Sequence, residues 1–300
     1  MDELTRLSPE VYRERVNSLM NLPTLPIIAT EILRIVREDR LSVSQILPII
    51  ERDPPLAMKV LRFANSAYYG LREKVKSLRH AMVVIGMKQL SQLAMTFTLI
   101  KALTRTEQNE YGVPWKQFWE HSTACGHIAQ LLSEHIDVST STSPYSLGLL
   151  HDIGKLVLYR IHPEGYRVAF KVAKVENRES YEVESEILGV NHSEVGRWIA
   201  EKWDLPDIIV KVIGYHHNVE VLTDESKRQA ATVIQIADML CNYNSLVFGM
   251  GLSAIDIKKT GDDLIRSRSS YMNGINFDHF NMQIQPEINS ITEMVGLMQA

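Results

Sequence analysis

Residues 147–156 read LGLLHDIGKL, an apolar run interrupted at its centre by His151 and Asp152. A buried, unpaired carboxylate is costly or is driven to take up a proton. A cation beside Asp152 removes that difficulty. Adjacent residues on a helix point about 100° apart, so His151 and Asp152 cannot chelate one ion as an i, i+4 pair does. They can serve one ion with help from other helices, while Asp152 reaches a second. Gly154 permits close approach of backbone or substrate. Lys155 lies one turn beyond His151, close enough to hold a phosphate, although taken alone it reads as an ordinary exposed lysine.

Working outward, the same combination recurs. His121 falls on the stripe Phe118, His121, Cys125, Ile128, Leu132, whose spacings of three and four put an imidazole on the buried face of a helix. A lone histidine there is ordinarily satisfied by a carbonyl. Asn191 reads as an N-cap with Glu194 three positions on, which sets His192 in a first turn beside Val195 and Ile199. The pair His216-His217 ends a helix with Ile209, Val212 and Ile213 inward, where the helix dipole alone favours a protonated histidine. Asp238 is a carboxylate among Ile234, Ile236, Ala237, Leu240 and Cys241. Each residue has a plain packing explanation. Seven donors on consecutive apolar segments do not. Imidazole and carboxylate suit Zn, Mn, Fe or Ni equally, and a paired site of such ions activates water against phosphate esters.

The rest of the chain is helical in pattern. Helices are expected at 8–20, opened by Ser8-Pro9, and at 26–38, with Ile28, Ile32 and Ile35 on one stripe. Ser42 to Gln45 reads as a capping box for a helix through Ile50, and Asp53-Pro54 starts another that runs to about Gly70. Ser77 begins a further helix, and Gly86 separates it from a long apolar one over 88–103. Pro114 opens a helix to about Ile136, residues 137–143 form a loop, and Ser143-Pro144 starts the next helix. Further helices fall at 163–177, 191–203, 206–217 and 227–247. No alternating strand and no repeat is present. The fold class is therefore all-α, a multi-helix arrangement in two packed lobes. Polar residues 104–112 mark the boundary, giving an N-terminal lobe over 1–110, a metal-site lobe over 111–250 and an extension over 251–300 with a weak helical pattern at 286–299.

Composition sets the limits. Three hundred residues, 45% hydrophobic and 23% charged, suit a soluble globular protein. The net charge of -4 provides no global basic field for nucleic acid or an anionic membrane. The basic residues Arg72, Lys74, Lys76 and Arg79, near short helices at 42–67, could be misread as a helix-turn-helix but are expected to form a solvated face. No apolar run approaches the roughly 20 residues that cross a bilayer, and the acidic start MDELTRLSPE is not a secretory signal. Cys125 and Cys241 suggest no disulfide framework, so a cytoplasmic location is expected.

The order His121, His151-Asp152, His192, His216-His217, Asp238 resembles the HD superfamily of metal-dependent phosphohydrolases, in particular the HD-GYP branch with its H, HDxGK, H, HH and D. A larger part of the chain resembles the HDOD family, a related bacterial signalling domain. The carrying segments are Leu22-Pro23-Thr24-Leu25-Pro26, Asp53-Pro54-Pro55-Leu56, Phe63-Ala64-Asn65-Ser66, Ala81 to Gly86, Asn191 to Gly196 and Trp203-Asp204-Leu205-Pro206, together about residues 20–217. The resemblance implies an HD-type helical fold. It also implies two divalent ions, one on His121, His151, Asp152 and Asp238 and the other on His192, His216 and His217, with Asp152 bridging. After the histidine pair, HD-GYP proteins continue into a Gly-Tyr-Pro segment associated with cyclic-di-GMP recognition. Here the continuation is Asn218-Val219-Glu220-Val221-Leu222, and Gln117 stands where some enzymes carry a glutamate for a third ion.

Two functions follow from that resemblance. One is a regulatory signalling module that retains a binuclear metal site and works through protein partners. The other is an active phosphohydrolase, with Asp152 and Lys155 in catalytic roles and a phosphate-containing small molecule as substrate. The missing Gly-Tyr-Pro segment puts the regulatory reading first.

Overall fold

Proline in the first turn starts several of the helices. A computed structural model of the chain describes residues 6–18, 27–37, 42–66, 71, 73–104, 114–136, 142–244, 246, 263 and 275–299. Pro9, Pro54, Pro144 and Pro163 lie at or next to the first residue of their helices, where the missing N–H costs nothing. Among the described residues the structure is helical and holds no strand. The chain forms two compact units, one of Met1–Asn21 with Gln108–Gln285 and the other of Leu22–Glu107 with Pro286–Ala300.

The unit built on residues 22–107 contains α2 (Ile27–Arg37), α3 (Val43–Glu51), α4 (Pro54–Ala64), α5 (Leu78–Ile85) and α6 (Met87–Thr104). α2 packs on α3 and α6, and α4 on α5 and α6. Ile32, Ile35, Ile46, Ile50, Leu56, Val60, Phe63, Leu90 and Leu93 are buried between them. Asp53 caps α4, accepting the Leu56 N–H at 3.2 Å and the Lys101 ammonium at 2.6 Å. The capping box expected at Ser42 does not form. Its hydroxyl donates to Gln45 Oε1 instead. α4 stops at Ala64, short of Gly70, because Asn65 turns its side-chain amide onto the Leu61 and Val75 carbonyls. No single helix among the described residues is long and apolar enough to cross a membrane, and the apolar pair α5–α6 is bent by 116°.

The other unit contains α1 (Pro9–Ser18), α7 (Trp115–His135), α8 (Pro144–Leu150), α9 (Ile153–Ile161), α10 (Pro163–Glu176), α11 (Ser180–Leu188), α12 (His192–Lys202), α13 (Asp207–Tyr215) and α14 (Glu225–Tyr243). α15 (Phe277–Gln299) follows, with Pro286 inside it. α7 packs against α8 and α14, and α12 against α9 and α13. The α7 stripe expected from sequence is buried in full, His121 included. Helix α1 joins this unit rather than residues 22–107. The Tyr12 hydroxyl meets His162 Nδ1 at 2.7 Å, Arg15 donates to the Ile161 carbonyl, and Lys202 donates to the carbonyls of Val16 and Asn17. Two helix pairs approach closely at glycine. A Cβ on Gly154 of α9 would stand 1.8 Å from the His192 carbonyl oxygen, and one on Gly148 of α8 would meet the backbone of Gly126 at 2.6 Å. The segments 22–26, 105–113 and 137–141, which sequence reads as a motif and parts of two loops, lie outside the described residues, as does most of 247–274.

Candidate metal centre

Six elements bring the seven donors to one place. His121 comes from the second turn of α7 and Asp238 from within α14. His192 is the first residue of α12, set by a capping box in which Asn191 and Glu194 each accept the other's backbone N–H. His216 is the C-cap of α13, with His217 next in the turn. His151 and Asp152 do not lie inside a helix, as the sequence suggested. They form the junction between α8 and α9, His151 capping one and Asp152 opening the other. That break lets the two side chains face different neighbours.

The donor atoms fall into two groups, Asp152 with His192, His216 and His217, and His121 with His151 and Asp238. Within each group the ligand atoms lie within 4.8 Å of one another, so each could hold a metal ion. Asp152 faces both. Its Oδ2 is 3.5 Å from the Nε2 atoms of His121 and His151, and its Oδ1 is 3.2 Å from that of His192 and 3.8 Å from that of His216. Asp238 Oδ1 lies 3.1 Å from His121 Nε2. The Nε2 atoms of His192 and His217 are 3.0 Å apart.

The rings are held from behind. His121 Nδ1 lies 2.7 Å from the Leu246 carbonyl, His151 Nδ1 2.6 Å from that of Gly148, and His216 Nδ1 2.9 Å from that of Ile213. His192 Nδ1 lies 2.6 Å from Glu184 Oε2, which also accepts the His192 backbone N–H at 2.7 Å. Carbonyl and carboxylate oxygens only accept, so each Nδ1 carries a proton and each Nε2 is the ring atom left to face the centre. In accord with this, the Nε2 atoms of His121, His151 and His216 and Oδ1 of Asp152 are buried without a hydrogen-bond partner. Buried polar atoms left so are costly, and imidazoles oriented from behind in this way are characteristic of metal ligands. The residues fit a cation.

Burial alone would raise the Asp152 carboxyl, but the charges of His151, Lys155 and His192 hold it well below the usual range. Lys155 is itself buried, its ammonium 2.6 Å from Asp152 Oδ2, so it is committed to that carboxylate rather than standing exposed. Burial lowers His216 to about 3. For His121 and His192 burial is outweighed by Asp238 and Glu184 respectively, and both rise to about 9. Asp238, against the effect of burial, is brought down to about 2 by His121.

The sequence missed the contribution of α11. Glu184 orients His192, and the Tyr181 ring stacks on that of His217, with centroids 4.4 Å apart and planes 16° apart. Glu179, just before the helix, is raised to about 7, mainly by burial and then by the charge of Asp238. The signal for Glu184 was present: a carboxylate beside Val183, one turn before Ile187 and Leu188, all buried.

An all-helical fold that gathers His, His-Asp, His, His-His and Asp in this order is that of an HD superfamily protein. More narrowly, the chain belongs to the HDOD domain family, whose sequence profile matches residues 22–219. An uncharacterised protein of Treponema pallidum (strain Nichols) is 26% identical over 214 residues, which are 71% of this chain and 41% of that protein. The chain therefore spans less than half the length of that relative. Among solved structures, an HDOD domain protein of unknown function from Geobacter sulfurreducens superposes with a TM-score of 0.80 at 21% identity, covering 96% of this chain and 98% of that one. A Marinobacter aquaeolei VT8 protein, provisionally called a signal transduction protein, gives 0.73 at 21% identity over 97% of this chain and 66% of its own. A Shewanella amazonensis SB2B protein, provisionally called a phosphohydrolase, gives 0.68 at 19% identity over 95% and 97%. At these identities the likeness is one of fold.

Proposed function

We propose that this chain is a bacterial signalling domain whose HD-type centre binds two divalent cations, one on each donor group, with Asp152 shared between them. The observation that carries this reading is the set of buried Nε2 atoms, each on a ring fixed by an acceptor at Nδ1 and turned towards Asp152. Imidazole and carboxylate leave Fe, Mn, Ni and Zn all eligible. A regulatory role is supported by the absence of a Gly-Tyr-Pro segment, in whose place Val219–Val221 forms one turn of 3-10 helix. It is also supported by the unit of residues 22–107, which among the described residues contributes no candidate metal ligand. The test is elemental analysis of protein purified without added metal or affinity tag. Two equivalents per chain are expected, falling below one in Asp152→Ala. An empty wild-type centre that stays empty in excess manganese sinks the reading.

A second reading, metal-dependent hydrolysis of a phosphate ester, is favoured by the carboxylate shared between two donor groups. A cation pair supplies water activation and neutralisation of phosphoryl charge. The chain's own part would be to hold that pair on Asp152 and to offer Lys155 to a phosphoryl oxygen in exchange for its present partner. Turnover of an aryl phosphate with manganese or iron, abolished in Asp152→Ala, is the expected sign of it. A fully loaded protein without turnover on aryl phosphates and nucleotides leaves the signalling role alone.

A further inference from the structure

The stretch Phe63-Ala64-Asn65-Ser66 plays no part in the metal centre. It closes α4 in the unit of residues 22–107, and there a cavity of about 490 Å³ opens. That volume lies within the range of small-molecule sites. Its apolar lining is Met58, Leu61 and Val75. One wall is pinned by Asn65, whose amide donates to the Leu61 and Val75 carbonyls and accepts the Val75 N–H, all at 2.8 Å. Asn65 is thus a strut. The other polar groups around the cavity are Arg62, Lys74 and Ser66.

Among the described residues neither Arg62 nor Lys74 has a side-chain ion pair or hydrogen bond, and the Ser66 hydroxyl oxygen is buried with none. A buried hydroxyl left unpaired is costly, and a ligand accepting from it relieves that cost. The surrounding field is positive. Lys59, one turn before Arg62, is lowered by burial and then by repulsion from Arg62 and Lys101. Glu73, next to Lys74, does not line the cavity. Residues 22–107 hold thirteen basic and seven acidic residues, although the chain as a whole is acidic.

We propose that this cavity binds a small organic phosphate with a flat apolar body, a compound of mononucleotide size. Arg62 and Lys74 take the phosphate, as guanidinium and ammonium groups do. Ser66 donates a hydrogen bond to it, and Met58, Leu61 and Val75 cover the ring, the thioether of Met58 adding a soft contact. The site owes nothing to the cation centre.

The experiment is calorimetric titration of the full chain, stripped of metal with chelator, using adenosine 5′-monophosphate as probe. One saturable site per chain is expected, retained in Asp152→Ala. Affinity is expected to drop at least about tenfold in the Arg62→Gln/Lys74→Gln double variant, and by a similar factor for adenosine without its phosphate. Both substituted residues are exposed, so an unchanged melting temperature will confirm that the fold is intact. A smaller loss, about threefold, is expected for Ser66→Ala. No saturable binding to the wild type, or equal binding by the double variant, overturns the proposal. Because the protein is metal-free and the readout is binding, neither result touches the reading of the metal centre.

Discussion

At the residue, the informative contrast is between the donors and what stands behind them. The donors stand out in the sequence because a carboxylate or an imidazole amid apolar neighbours needs a partner, and seven of them in series imply a common one. Glu184 obeys the same rule but is obscured, since the segment 178–190 carries so many acids and serines that its helical stripe is broken. Its two bonds to His192 lead to a prediction. Removing the acceptor in Glu184→Ala frees the imidazole to rotate and exchange tautomers, so affinity for one of the two cations should fall by about ten- to a hundredfold. Glu184→Gln, which keeps an accepting oxygen, should lie nearer the wild type. Manganese titration of the chelator-stripped proteins measures this. An alanine variant that binds both ions as tightly as the wild type would remove Glu184 from the role of positioning residue.

At the element, the sequence conveys helix positions better than helix breaks. The apolar pattern continues from α8 to α9 with no proline between them, so residues 144–161 look like one helix. The break at His151-Asp152 is set by tertiary packing, with Asp152 at φ -98° and ψ 9°. What seats α9 on α12 is Gly154, and here the geometry leaves no room for compromise. A methyl group at that position would sit 1.8 Å from the His192 carbonyl oxygen and 2.7 Å from the Gly196 nitrogen, both backbone atoms. Gly154→Ala must push the helices apart. Overpacking of this kind should cost about 3 kcal/mol or more, and because His192 rides on the displaced turn, cation binding should weaken with it. Urea denaturation of the metal-free protein gives the first quantity and manganese titration the second. A variant within about 0.5 kcal/mol of the wild type would show that the α9–α12 contact is softer than it looks.

At the scale of the molecule, composition and periodicity were enough for the all-helical class, but not for the place of α1. Its partners His162, Ile161 and Lys202 lie about 150 residues or more away in sequence, and no local pattern carries such information. The titration of the buried histidines is a property of the same assembled unit, and it fixes how stability should vary with pH when no cation is present. His216, about 3 in the fold against an ordinary 6.5, refuses a proton that the unfolded chain takes up between those values, so stability climbs with pH across that window. His127, lowered by burial to about 4, acts in the same sense. Glu179, raised from 4.5 to about 7, opposes them over its own interval but is one group against several. Above 6.5 the sign reverses. His121 and His192, both near 9, keep protons that the unfolded chain has lost, so stability falls as pH rises towards 9. The melting temperature of the chelated protein should therefore peak near pH 6.5. Added manganese should raise it, since the ion binds only the folded chain, and should abolish the alkaline decline, since ligation requires neutral imidazole. Calorimetric scans at pH 5, 6.5 and 8.5 with chelator and with manganese decide the matter. A chelated protein that melts no lower at pH 8.5 than at 6.5 would mean that His121 and His192 do not hold those protons in the folded chain.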